Sequence, residues 1–456
     1  MSGPEPVLVV AGCAVVTMDP ARRELAEGYV VVRGDRIVEV AAGTPTGYDG
    51  ARVVDGRGCL LTPGLVDTHN HLYQWATRGL APDATLFEWL TTLYPVWAGI
   101  DEETVHVAAQ AALSRLALTG CTSASDHHYV FPRGGGDLLG AEIAAARQVG
   151  LRFHPARGSM DLGRSRGGLP PDEVVEDRDA VLAATEAAVD RWHDPAPGSM
   201  LRISVAPCSP FSVTAELMRE AAELARSRGL RLHTHLAETT DEHDFCRERF
   251  DCTPLEYVDG LGWTGDDVWF AHGIHFGDAE VKRIGGTGTG VAHCPSSNAR
   301  LGAGVARAAD LRAAGAAVGL GVDGAASNEA GSLLEEARHA VLFARARSGP
   351  GALGVRDALE MATLGGATVL GRRDELGSVE PGKLADLALW RLDTLAHAGI
   401  TDPVAALLLG SAPPLELLLV GGRAVVEHDR VVGVDADALA AQVAAAHRTL
   451  LRRAER

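Results

Sequence analysis

Hydrophobic and polar positions along the chain fall into two textures. From Pro6 to Leu61, short apolar runs (VLVVAGCAVVTM, GYVVVRGDRIVEVA, ARVVDGRGCLLTPG) are cut by Gly, Asp and Pro turns, which predicts a small sheet domain without helices. After Pro63 the runs shorten to four to eight residues and alternate with Ala-, Leu- and Arg-rich segments of helical period, the βα alternation of a parallel sheet. Eight such runs can be placed, over Gly64–Leu72, Thr122–Val130, Arg152–Ser159, Leu201–Phe211, Arg231–Glu238, Val268–Phe276, Gly290–Asn298 and Ala317–Gly324, and eight is the number that closes a barrel. Helices are predicted between them, among others over Glu102–Thr119, Asp179–His193, Ala215–Arg228 and Leu334–Arg347.

Beyond Leu370 the β texture returns in SVEPGKLADLALW and ELLLVGGRAVVEHDRVVGV, and an amphipathic segment over Ala436–Arg453 closes the chain. The predicted architecture is therefore α/β: a (β/α)8 TIM barrel over residues 63–370, inserted into a small β-sandwich made from residues 1–62 and 371–435, with a C-terminal helix over 436–456. Arg133–Gly136 and Gly163–Pro171 are predicted loops over the barrel mouth.

Charge narrows the function classes. Lys+Arg 42 against Asp+Glu 60 gives a net charge of −18, which repels phosphate backbones and anionic lipid, so neither a nucleic-acid nor a membrane partner is expected. No apolar stretch approaches the roughly 18 residues of a spanning helix, and the opening lacks the basic region and cleavage site of an export signal. Seven scattered cysteines without a C-x-x-C pair read as reduced thiols. A cytoplasmic location is expected.

The chemistry-bearing residues gather at the C-terminal ends of the runs, where barrel enzymes place their sites. DTHNH sets His69 and His71 two apart on one strand face, and HTHLAE does the same for His233 and His235, with Glu238 following. GLGVDG presents Asp323 at another strand tip. Three imidazoles and one carboxylate, His69, His71, His235 and Asp323, suit a single divalent metal, zinc or ferrous iron, with room for water. Glu238 is placed to carry a proton beside that water, His272 in WFAHGIHF faces the same mouth, and Asp323 could both ligate and shuttle a proton.

With these residues in hand, the chain resembles the amidohydrolase superfamily, in particular its cytosine-deaminase-like and chlorohydrolase-like branch. TPGLVDTHNH, HLAE, AHGIH and GVDGAASN are similar to the family's metal and proton-transfer motifs, and the EPGKLADLAL return is similar to the second half of its split sandwich. The resemblance implies metal-dependent hydrolytic deamination of an amino-substituted ring, and a homo-oligomer. Branches with two metals bridge them through a carboxylated lysine, but the only lysines here are Lys282, between the sixth and seventh runs, and Lys383, past the barrel. One metal is expected.

The ring is read from fewer residues. Gln74 occupies a position resembling that of the glutamine with which guanine deaminases read a purine carbonyl, and an amide can both donate to and accept from a lactam edge. SDHHYVFP, RGSMDLG and APCSPFSV together resemble the bacterial 8-oxoguanine deaminases and the isoxanthopterin deaminases. They bring in His128, Tyr129, Arg157 and Ser209 as substrate contacts. Trp75, Trp89 and Phe211 are flat apolar walls. His127 and His128 are adjacent and point to opposite sides, so at most one faces the barrel axis. The implied reaction is 8-oxoguanine to uric acid and ammonia, with isoxanthopterin, guanine and s-triazines as alternative rings.

Overall fold

The structure is a computed structural model that describes residues 7–455. Residues 1–6 and 456, assigned from sequence to the sheet domain and the closing segment, lie outside the described residues.

Eight parallel strands close into a barrel: β1 (Leu65–Asp67), β2 (Cys121–His128), β3 (Arg152–Ser159), β4 (Ser204–Pro207), β5 (Leu232–Leu236), β6 (Val268–His272), β7 (Gly290–His293) and β8 (Val318–Leu320). Closure is made by β8 against β1, with Leu320 opposite Asp67. Seven strands fall inside their predicted runs and β2 starts one residue early, at Cys121, while several runs are longer than their strands. The first run splits into β1, a two-residue bridge Asn70–His71 paired with Asp323–Gly324, and a 3-10 helix over Leu72–Thr77. The seventh stops at His293 because Pro295 opens a helix, Pro295–Arg300, at a position where its missing N–H costs nothing.

The predicted helices appear as Glu102–Leu118, Arg178–Trp192, Ala215–Ser227 and Leu333–Ser348. Their starts are set by side-chain caps: Asp101 accepts from Thr104 N, Asp177 from Asp179 N and Ala180 N, Thr214 from Leu217 N. Leu86–Trp97 is a further helix, lying across the barrel mouth and containing Pro95.

The two chain ends do build one unit. Leu387–Arg391 pairs antiparallel with Cys59–Pro63, so the returning tail hydrogen-bonds to the strand that leads into the barrel. The expected sandwich takes the form of one continuous nine-stranded sheet whose apolar face, including Val10, Val15, Val32, Leu61, Leu387 and Leu419, forms a core separate from that of the barrel. Sheet and barrel are joined by a buried bidentate ion pair, Arg152 Nε and Nη2 to Asp386 at 2.8 and 3.0 Å. The C-terminal helix Ala436–Ala454 docks beside the mouth, with Arg453 bound to Asp101 and His447 Nδ1 donating to Ala76 O at 2.8 Å. All seven cysteines are free. Among the described residues no helix is long and apolar enough to cross a membrane.

Candidate active site

Strand alternation brings His69, His71, His233, His235 and His127 into the barrel axis, all buried. Backbone carbonyls fix their tautomers, because a carbonyl can only accept. His71 Nδ1 donates to His127 O at 2.7 Å and His235 Nδ1 donates to Cys208 O at 2.7 Å. His233 Nδ1 donates to Trp269 O at 2.9 Å, which leaves its Nε2 to accept from His69 Nδ1 at 2.8 Å. Burial holds the rings of His69, His71 and His235 below their ordinary pKa, His71 to about 3, so all three are neutral. Each therefore presents a bare Nε2 lone pair toward one point.

Two of those lone pairs, on His71 and His235, face each other at 3.1 Å, and His69 Nε2 has no hydrogen-bond partner. Asp323 Oδ1 lies 3.3 Å from both His69 Nε2 and His71 Nε2. Burial opposes ionisation of Asp323, yet the adjoining imidazoles of His69, His272 and His71 hold its carboxyl well below the usual range. Ser297 Oγ donates to its other oxygen at 2.6 Å. Converging lone pairs plus an ionised carboxylate form a donor set whose chemistry fits zinc or ferrous iron.

Glu238 and His272 sit at the edge of this set, with His272 Nε2 3.5 Å from Glu238 Oε2 and His272 Nδ1 3.0 Å from Asn298 Oδ1. Burial raises Glu238 to about 7, His272 opposing and Asp323 adding to the shift. Burial disfavours protonation of His272, but the carboxylates of Glu238 and Asp323 outweigh it and raise its pKa. Three non-glycine residues here adopt left-handed backbone, Ala237 (φ 54), His272 (φ 72) and Asp323 (φ 63). Such corners cost on the order of 1–3 kcal/mol each and persist only where the surroundings dictate them. At Ala237 the dictating group is Glu242, a buried carboxylate missed in the sequence, which accepts from Ala237 N at 3.0 Å and Glu238 N at 3.1 Å.

Above the donor set opens a pocket lined by Gln74, Trp89, Tyr129, Ser209, Glu238 and His272 together with His71, His235 and Asp323. Phe211, Tyr94, Leu86, Leu90 and Leu301 add apolar wall, and Tyr94 and the two leucines on Leu86–Trp97 were not anticipated. Gln74 is fully buried, and neither its Oε1 nor its Nε2 has a protein partner. Gly324 packs against it so closely that a Cβ there would meet Gln74 Oε1 at 1.8 Å, which explains the glycine.

Three expected pocket residues lie elsewhere. Trp75, next to Gln74 on a 3-10 helix, is turned about 120° away and stacks under Arg78 at 3.8 Å. Arg157 sits on the outward face of β3, paired with Glu176 at 2.8 and 3.0 Å and lying 3.6 Å over the Phe131 ring. His128 likewise points outward from β2, and His127 is the one that faces the axis, stacked on His235 at 4.7 Å. His128 Nε2 donates to Val130 O at 2.9 Å, so a neutral ring must accept at Nδ1, 2.8 Å from Glu142 Oε1. Burial lowers His128 to about 4 and raises Glu142 to about 8, which makes the contact a neutral hydrogen bond with Glu142 donating rather than an ion pair.

A folded-state pKa raised above the unfolded value stabilises fully below about 4.5 and loses that contribution as pH rises through about 8. Glu142→Gln, which keeps a donor without the titration, is expected to flatten the fall in melting temperature between pH 5 and 8. An unchanged slope in thermal scans would put Glu142 in its ionised form.

The amidohydrolase family profile matches residues 60–423, and the chain belongs to that family. Within it, the chain is 46% identical over 429 residues to the 8-oxoguanine deaminase of Pseudomonas aeruginosa, covering 93% of this chain and 95% of that protein. It is 36% identical to an isoxanthopterin deaminase from an unknown prokaryotic organism, covering 92% and 91% respectively. Among solved structures, atrazine chlorohydrolase TrzN from Arthrobacter aurescens TC1 complexed with zinc superposes with a TM-score of 0.92 at 33% identity, covering 96% of this chain and 100% of that one. The protein is a hydrolytic enzyme of the aminohydrolase kind.

Proposed function

We propose that the protein deaminates a free amino-purine, 8-oxoguanine in the first instance, to uric acid and ammonia, using one divalent metal per chain, zinc by preference. The observation that carries the reading is the convergence of three bare Nε2 lone pairs and the Asp323 carboxylate at the floor of a pocket walled by Glu238 and His272. His69, His71, His235 and Asp323 would hold the ion. Bound there, it supplies a Lewis acid that brings the pKa of water toward neutrality.

The residues of the chain do the rest. Glu238, poised near neutrality, takes a proton from the attacking water and returns it to the ring nitrogen beside the amino-bearing carbon. His272, whose pKa the Glu238 and Asp323 carboxylates raise, donates toward the oxygen added to that carbon. Asp323, kept ionised, takes the second proton and passes it to the departing ammonia. Trp89, Phe211 and Tyr129 hold the ring flat, and Ser209 faces the same space.

Gln74 supports the choice of an oxo-purine. A fully buried amide with both ends unpartnered costs free energy unless a ligand pairs with it, and a lactam edge offers one acceptor and one donor. Gln74→Leu is expected to lower kcat/KM for 8-oxoguanine by about 10- to 100-fold and to leave metal content intact. Steady-state ammonia release from 8-oxoguanine, guanine, isoxanthopterin and a hydroxytriazine tests the substrate directly. Turnover of the triazine without 8-oxoguanine would reject the purine reading.

A further inference from the structure

At the opposite, N-terminal end of the barrel, the strand starts flank an open cavity of about 270 Å³, lined by His154, His193, Arg202, Ser204, Arg231 and Trp269 among others. No carboxylate side chain is among its lining residues. Ser204 Oγ and Arg231 Nε are buried and have no partner. The two histidines are donors as well. His193 Nδ1 accepts from Ile203 N at 3.1 Å, so its proton is on Nε2, and His154 Nε2 faces the Arg372 Nη1 donor at 3.4 Å, so its proton is on Nδ1.

The charge balance points the same way. Arg152, Arg202, Arg231 and Arg372 all lie close enough to His154 to disfavour its protonation, after burial, which is the larger cause. Two carboxylates answer them by contact: Asp386 is taken by Arg152, and Glu375 is shared by Arg372 and Arg202. Asp267 is paired with Arg226 at 2.8 Å, and Asp266 offers Arg231 its backbone oxygen at 2.7 Å. Arg231 thus has a carbonyl and no carboxylate as its hydrogen-bond acceptor. Register places Ser204 beside it, since Val205 is opposite Leu232 across β4 and β5. A buried cationic donor left unpaired, as at Arg231 Nε, is expensive, and it stands in a chain of net charge −18.

We propose that this cavity binds a small tetrahedral oxyanion, phosphate or sulfate, held by Arg231 and Ser204 with the imidazole N–H groups of His154 and His193. None of these residues belongs to the metal end of the barrel, so the site is separate from the reaction. The test is equilibrium dialysis of the metal-loaded full chain with radiolabelled inorganic phosphate at fixed ionic strength. One phosphate per chain is expected, displaced by sulfate and not by chloride, and without competition against the deaminated substrate.

Arg231→Gln is expected to weaken phosphate binding by at least about tenfold, and Ser204→Ala by about threefold, with turnover within about twofold of the parent. Should Arg231→Gln fail to fold, Ser204→Ala decides. Absence of binding above the chloride control, binding undiminished in the variants, or phosphate acting purely as a competitor of substrate would each overturn the proposal.

Discussion

Glu238→Gln should keep its metal and lose about three orders of magnitude or more in kcat, the upper range of what a positioned acid–base group contributes. The amide has nearly the shape of the carboxylate, so the donor set of His69, His71, His235 and Asp323 is left as it is. What disappears is the ability to cycle a proton between water and ring nitrogen, for which burial has brought Glu238 to about 7. KM should move far less than kcat. Retention of more than a tenth of parental turnover would remove Glu238 from proton transfer and leave its proximity to His272 without a purpose.

His235→Ala addresses the floor of the site. It deletes one of the two Nε2 lone pairs that face each other at 3.1 Å and frees Cys208 O from its imidazole donor. Three donors cannot hold the ion as four do, so metal content after dialysis should fall below a tenth of an equivalent and turnover should vanish with it. The variant is expected to remain folded, because the barrel closes through backbone pairing and an apolar core that His235 does not carry. Substoichiometric metal with parental kcat, measured by elemental analysis and ammonia release on one preparation, would contradict the assignment.

The residues we propose to ligate and move protons were legible because their spacing is fixed by strand geometry. Two histidines two apart on a strand must share a face, and strand tips of one barrel must share a rim. Which histidine of the pair His127–His128 turns inward was not legible. Barrel strands are buried on both faces, and all eight residues of Cys121–His128 are buried, so no polar and apolar alternation marks the axis side.

Trp75 was misplaced for a related reason. The run through Leu72 was read as strand, whereas the chain turns into a 3-10 helix there and sends neighbouring side chains in different directions. Tyr94, Leu86 and Leu90 escaped notice because Pro95 interrupts the helical period of Leu86–Trp97. Glu242 and His233 act through backbone or ring nitrogens in trans, and partners of that kind become visible only with coordinates.

Stepwise addition of Zn2+ to chelator-treated protein, with ammonia release from 8-oxoguanine read at each step, tests the single-ion account most directly. Activity should start at the background rate, rise in proportion to added metal and level off at one equivalent per chain. Full activity before any metal is added, or a plateau reached only at two equivalents, would contradict it.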